Sequence, residues 1–293
     1  MSLTEISRPA SSRMDSGQSL SHHPTDSMRR RNYREQQPKG ITTQQKLHQR
    51  DDYMRRKASL DRIIGFLLLV FTSPLILLLA AIVKCTSKGP AVYRQTRVGK
   101  DGQTFELLKL RSMVRNAEKP GQPVWCSTND LRVTRVGRVL RKLHLDELPQ
   151  LWNVAKGEMS LVGPRPERPE ICVNLADEIV NYHDRHRVMP GITGLAQINL
   201  PADQTIEDVR RKQILDLRYI EEANLWLDLR MIAATAIRML GISGEVVISL
   251  TRLSRREYLN EQLASQCRNQ QKNSAGQRSF ESVQPSESPR FPR

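Results

Sequence analysis

The chain has 293 residues, with 46 Lys and Arg against 31 Asp and Glu, a net charge of +15 and only 5% aromatic residues. That length suits one sizeable folded unit, and the charge asks for a polyanionic partner: a phosphorylated substrate, anionic lipid headgroups or nucleic acid. Nucleic acid is set aside, because no RNA-recognition, zinc-finger or helix-turn-helix pattern accompanies the charge; the spacing of Cys85, Cys126, Cys172 and Cys267 likewise excludes a zinc site or disulfide frame and reads as reduced cytoplasmic thiols.

Residues 1–54 form a basic stretch rich in Ser, Gln, Arg and Pro, and residues 256–293 are alike in composition. Neither holds enough apolar surface to offset the entropy of ordering it, so both are expected to be disordered tails. Between them the sequence predicts a membrane segment over residues 55–88 and a cytoplasmic catalytic part over 89–255. No signal peptide is expected, since the first apolar run begins only after some sixty residues.

That run, Ile63–Val83, has 21 residues without a charge, enough for a spanning helix. Its centre reads Thr72-Ser73-Pro74. Pro74 lacks an amide hydrogen and its ring collides with the carbonyl of Val70, so a break is expected at Ser73–Pro74, with the Thr72 and Ser73 hydroxyls as the nearest donors for the freed carbonyls. Arg55, Arg56 and Lys57 precede the run, and Lys84, Lys88, Arg94 and Arg97 follow it. A re-entrant helix–break–helix returns both basic clusters to the cytoplasmic face, whereas a proline-kinked spanning helix places one of them on the far side. Both forms fit the residues.

Next, two alternating runs flank "GKDG", and Asp101-Gly102 is a favoured turn dipeptide, which predicts a β-hairpin. Its return strand sets Lys109 and Arg111 on one face, either solvated or facing phosphate. Farther on, Pro149 suits the first turn of a helix over Gln150–Lys156 and Gly157 its end. Asp146 and Glu147 then sit at that helix's N-terminal edge, where dipole and free amides favour anions. Such residues are ordinarily caps. Here Arg141 and Lys142 precede them, and Arg165 follows on a stiff Gly-Pro-Arg-Pro loop. An ionised Asp so surrounded can attack phosphorus, a second carboxylate can hold Mg²⁺, and fixed cations can stabilise the departing phosphate. Towards the end, Leu225, Leu229, Ile232, Ala236 and Leu240 make an apolar stripe opposed by Asp228, Thr235 and Arg238. That stripe fits either a core-facing helix or one lying in a membrane interface.

In this order, "YRQTRVGKDGQTFELLKLRSM", "LDELPQLWNVAKGEMSLVGPRPE", "PGITGLAQIN" and "LDLRYIEEANLWLDLRMI", behind a Ser-Pro-broken apolar segment, resemble the bacterial sugar transferase family over about residues 57–241. Its members are monotopic polyprenyl-phosphate phosphoglycosyl transferases, which begin the assembly of cell-surface glycans. The resemblance implies an α+β, mainly helical protein of the bacterial inner membrane, with a re-entrant helix, a small β-hairpin, interfacial amphipathic helices and its active site on the cytoplasmic face.

It implies a reaction too. Asp146 attacks the β-phosphorus of a nucleoside-diphosphate sugar, taken as a UDP-sugar, and carries sugar phosphate until polyprenyl (undecaprenyl) phosphate removes it. Glu147 is implied as the Mg²⁺ ligand, and Lys109, Arg111, Arg141, Arg165, Arg185 and Arg187 as phosphate or nucleotide contacts. Met189 and Leu195 depart from the family's usual basic residue and Trp. Two rivals stand beside this reading: a membrane glycosyltransferase that moves the sugar alone, and a non-catalytic scaffold that binds anionic lipid.

Overall fold

One helix, α1 (Thr43–Thr86), carries the whole apolar segment in the computed structural model, which describes residues 43–117, 130–266 and 268. The helix runs without interruption across Ser73–Pro74, with Pro74 inside it. The physical reason is local. The Ser73 hydroxyl donates to the Val70 carbonyl at 2.8 Å, the one Pro74 cannot serve, and the Thr72 hydroxyl donates to Leu68 O at 2.7 Å. The helix is long and apolar enough to cross a membrane, and only 6% of its most apolar 18-residue window is buried.

The chain divides into two units, Met1–Lys46 and Leu47–Arg293; of the first, only residues 43–46, the start of α1, are described. Ordered structure thus reaches into the expected N-terminal tail, and Tyr53 and Met54 pack on the core. The expected C-terminal tail needs the same correction. Residues 256–266 are helical, and Leu259 is buried against Ala196 and Leu215. Tyr258, Leu259 and Leu263 are too few to predict a core in sequence, but they pack together against the neighbouring helices. The rest of both tails lies outside the described residues, as do Cys126 and Cys267, whereas Cys85 and Cys172 are free thiols.

Both flanks of the exposed apolar stretch of α1 are pinned to the Leu47–Arg293 unit. On the N-terminal side, Lys57, which looks like a flanking surface charge in sequence, is buried. Its ammonium donates to Asp61 at 2.8 Å and pairs with Asp228 at 2.7 Å. Tyr53 and Tyr219 hydroxyls hold the two oxygens of Asp228 at 2.6 and 2.9 Å, and Asp61 accepts from the Ser160 hydroxyl and the Leu161 amide. On the C-terminal side, Val83 is buried with Leu110 and Leu140.

The expected hairpin forms from β1 (Val92–Val98) and β2 (Thr104–Leu110), antiparallel with Val92 opposite Leu110. Asp101 (φ 54°) and Gly102 (φ 78°) make the left-handed turn. There follow α2 (Arg135–Lys142), α3 (Gln150–Lys156), β3 (Ser160–Val162), α4 (Pro169–Glu178) and β4 (Gly191–Thr193), then α5 (Leu195–Asn199), α6 (Ile206–Glu222), α7 (Leu225–Met239) and α8 (Gly244–Thr251). The result is the expected α+β, mainly helical fold.

Strands β3 and β4 pair in parallel, Ser160 with Gly191 and Val162 with Thr193. Glycine is required where they meet: a methyl on Gly191 would lie 2.0 Å from Gly163 N, and one on Gly194 2.3 Å from Gly163 O. The main core gathers Val154, Val162, Leu195, Tyr219, Met231 and Val247 around this pair.

The apolar stripe of α7 is the surface face. Leu225, Leu229, Ile232, Ala236 and Leu240 are exposed, while Leu227, Asp228, Met231 and Ala234 face inward. Asp228, counted with the polar side in sequence, is tolerated inside because Lys57 and two tyrosines satisfy it.

Candidate active site

The acidic pair is set by a sharp reversal between α2 and α3. Thr134 caps α2 by accepting from Gly137 N at 2.9 Å. After α2, His144 adopts a left-handed conformation (φ 55°), which few residues besides glycine take and which histidine takes more often than most. Leu145–Glu147 then make one 3₁₀ turn, Pro149 caps α3, and Gly157 (φ 79°) ends it. Asp146 and Glu147 therefore occupy the edge of α3, as the spacing predicted.

The two carboxylates have different surroundings. Glu147 Oε1 accepts from Lys109 Nζ at 3.0 Å and Arg165 Nη2 at 2.7 Å. Burial alone would push its pKa up, but Arg165 and Lys109 hold it far below the usual carboxylate range. Asp146 is buried, yet no described residue hydrogen-bonds to its carboxylate. Burial pushes it above the usual range; Lys109, Arg141 and Arg165 pull it down and Glu147 adds to the rise. One carboxylate is locked between two cations and the other is left with free lone pairs.

Arg165 owes its place to its backbone. Gly163 N donates to Thr193 O and Gly191 N to Pro164 O, each at 2.9 Å, while Arg97 Nη1 donates to Pro166 O at 2.9 Å. Arg185 completes the cradle. It is almost wholly buried, binds Asp216 Oδ2 through Nε and Nη2 at 3.0 and 2.7 Å, and donates from Nη2 to Arg165 O at 2.8 Å.

The other expected cations divide. Arg141 stands near Asp146 with no partner among the described residues. Arg187 is exposed in the turn Tyr182–Arg187 and also without one. Arg111 does not share a target with Lys109. It lies just past the end of β2, where it donates to Ser87 O and Oγ at 2.8 Å and to Pro90 O, and so clamps the end of α1. Leu195 is buried in the main core, so its departure from Trp concerns packing.

Three groups were not apparent in the sequence. Glu167 receives Lys212 and pairs with Arg97 at 3.6 Å. His144 is within electrostatic reach of Glu147, Asp146, Arg238 and Arg165; burial lowers its pKa, Glu147 opposes this, and Arg238 and Arg165 add to it. Arg238 itself donates to Gln197 O at 3.0 Å. Only the Glu after Gly-Pro-Arg-Pro offered a local signal; the others are brought close by tertiary contacts alone.

Glu167 carries a testable pH dependence. Burial would raise its pKa, but Lys212, Arg185 and Arg97 lower it from 4.5 to about 2. A depressed folded pKa contributes stability that is present above pH 4.5 and lost as the pH falls towards 2. Thermal unfolding in detergent should show the midpoint falling below about pH 5 in the wild type. The acid slope should be shallower in Glu167→Gln; an unchanged slope removes Glu167 from the acid response.

The bacterial sugar transferase family model matches residues 52–241, a stretch that holds most of α1, the hairpin, the acidic pair and the Gly-Pro-Arg-Pro loop. The chain belongs to the bacterial sugar transferase family. This family member is 43% identical over 180 residues to the UDP-glucose:undecaprenyl-phosphate glucose-1-phosphate transferase of Klebsiella pneumoniae, covering 61% of this chain and 38% of that one. It is 42% identical to the UDP-N-acetylgalactosamine-undecaprenyl-phosphate N-acetylgalactosaminephosphotransferase of Aeromonas hydrophila, over 61% of this chain and 42% of that one. A shorter relative, the UDP-glucose:undecaprenyl-phosphate glucose-1-phosphate transferase of Caulobacter vibrioides, is 42% identical over 63% of this chain and 70% of its own length. The sugar transferase thus spans about two fifths of the two longer relatives.

Proposed function

We propose that the protein transfers sugar 1-phosphate from a UDP-sugar to undecaprenyl phosphate at the cytoplasmic face of a bacterial inner membrane, through a phosphosugar bound to Asp146. The observation that carries this is the division of labour in the acidic pair: Glu147 held by Lys109 and Arg165, Asp146 beside the same cations with its lone pairs unengaged. Relatives whose names share undecaprenyl phosphate but differ in the sugar support the acceptor and leave the sugar open.

In the first step, an Asp146 oxygen forms a bond to the β-phosphorus and the bond from that phosphorus to the bridging oxygen breaks. The nucleoside monophosphate leaves with the electron pair. Arg165, Lys109 and Arg141 face the phosphates as charge moves onto the leaving group. In the second step, a phosphate oxygen of the lipid attacks the same phosphorus and frees Asp146.

Mg²⁺ fits the donor set. Among the described residues no cluster of three His, Cys, Asp or Glu side chains could form a closed metal cage. Glu147 keeps Oε2 free beside Asp146, which suits an ion that takes one or two carboxylates and completes its shell with water and substrate phosphate. Glu147 would hold it, and the ion would neutralise diphosphate charge.

A monotopic arrangement is part of the reading. Leu69 packs on the main core and Leu79 on the Val83–Leu110–Leu140 cluster, with no residue between them in either cluster. That stretch is about 15 Å of helix, half the roughly 30 Å hydrocarbon thickness. Phe66, Leu67, Phe71, Leu77 and Leu78 are each more than half exposed, as are Leu225, Trp226 and Leu240 on α7 and Val246 and Leu250 on α8. These surfaces suit a shallow insertion into one leaflet.

The test is the half-reaction. UDP-glucose, UDP-galactose and UDP-N-acetylgalactosamine are each mixed with enzyme and no lipid. One of them should release UMP in a burst near one per enzyme and leave sugar phosphate on the Asp146 peptide. UMP release only when undecaprenyl phosphate is present would favour direct displacement, and release of UDP would favour a sugar-only transferase.

A further inference from the structure

We infer that Arg238 binds the phosphate of the acceptor lipid, which makes it a subsite separate from the cations that grip the donor; this rests on the reading above. Most cations near the acidic pair are already engaged. Lys109 and Arg165 hold Glu147, Arg111 clamps the end of α1, and Arg185 is spent on Asp216, Tyr182 and the Arg165 carbonyl. Arg141 and Arg238 retain free donor capacity, and Arg238 makes a single hydrogen bond, from Nη1 to Gln197 O.

Position separates these two. Arg141 ends α2, whose exposed residues are Arg135, Arg138 and Lys142 with one apolar residue, Val139, so it presents no continuous apolar face. Arg238 lies in the last turn of α7, the helix whose outer face, Leu229, Ile232, Ala236 and Leu240, is exposed and apolar. Leu240, two residues on, is 80% exposed. A phosphate carried on a hydrocarbon chain therefore meets Arg238 where the apolar face stops.

The inner side of that turn leads to the reacting centre. One turn earlier, Thr235 Oγ1 donates to Thr193 Oγ1 at 2.7 Å and ties α7 to β4. Gln197, whose carbonyl Arg238 binds, follows Gly194, which is in backbone contact with Gly163 at the start of the Arg165 loop. His144, which immediately precedes the turn that carries the acidic pair, is within electrostatic reach of Arg238. Arg238 thus bridges the exposed apolar face and the edge of the site, and its unspent guanidinium nitrogens can donate to a phosphate monoester.

The experiment compares wild type, Arg238→Gln and Arg238→Lys in micelles of a neutral detergent with no other anionic lipid. The donor is the UDP-sugar that gives the wild-type burst, and the acceptor is undecaprenyl phosphate. Gln keeps a donor for the Gln197 carbonyl but removes the charge, and Lys keeps the charge. Arg238→Gln should raise the acceptor KM about 10–100-fold, while the UMP burst and the donor KM stay within about twofold. Arg238→Lys should recover much of the acceptor affinity.

An unchanged acceptor KM overturns the inference. So does a burst or donor KM impaired as much as the acceptor KM, since the phosphate bound would then be the donor's. A defect seen only after phosphatidylglycerol is added also overturns it, because Arg238 would then serve bulk headgroups. If the wild type itself gives no burst, the proposed reaction fails, and that result is distinct from any behaviour of the Arg238 variants.

Discussion

Asp146→Asn is expected to remove transfer altogether, a loss of about 10⁴-fold or more in kcat, while the protein stays folded and membrane-bound. The amide fills the same space, and Asp146 makes no hydrogen bond to a described residue, so little packing or bonding is lost with its charge. What disappears is the nucleophile: an amide oxygen does not form a stable phosphoryl bond. The half-reaction should therefore show no UMP burst and no mass increase, although the UDP-sugar still binds the cations around Glu147.

The pH dependence of the wild-type burst adds a second signature. Burial places the Asp146 pKa above the usual range, and the reactive form is the ionised one. The burst rate should rise with pH through a limb that lies above the 3.8 of an ordinary Asp. A burst in Asp146→Asn comparable with the wild type would remove Asp146 from the mechanism.

Features written in local chemistry were legible. The Asp101-Gly102 turn, the Pro149 start and Gly157 stop of α3, and the hydroxyl donors beside Pro74 all depend on residues within one turn of each other. The acidic pair with Lys109, Arg141 and Arg165 was legible because their number around two carboxylates exceeds what capping needs. Features decided by distant partners were not. Lys57 and Asp228 look like solvated charges until α1 and α7 meet and Tyr53 and Tyr219 close around them. Arg185 and Arg111 resemble phosphate ligands in sequence, but Asp216 and the Ser87 carbonyl, each at least 24 positions away, occupy them.

Replacing Ser73 and Pro74 with Leu and Ala should drive part of the population into a spanning form and cut activity in that fraction to near zero. The change restores the missing amide donor and removes the ring clash. It also removes a polar residue from the middle of a helix that is already long and apolar enough to cross. Crossing has a structural consequence. A helix that spans about 30 Å of hydrocarbon cannot keep both flanks on one body, so either the Lys57–Asp61–Asp228 network or the Arg111–Ser87 clamp must open. The first choice strands Asp228 and Asp61 beneath β3, the strand that leads to Arg165; the second frees the end of β2 that carries Lys109. Either change disturbs a cation that holds Glu147. Opposing this, Arg55 and Arg56 resist translocation, so the conversion should be partial. Single cysteines at residues 45 and 260 in a cysteine-free background, labelled by an impermeant reagent in intact and permeabilised cells, report the sidedness. Wild type should be protected at both positions in intact cells. The double variant should expose residue 45 in a fraction of chains that matches its lost activity. Labelling of the wild-type residue 45 in intact cells, with residue 260 protected, would show that α1 spans and that the proposed shallow insertion is wrong.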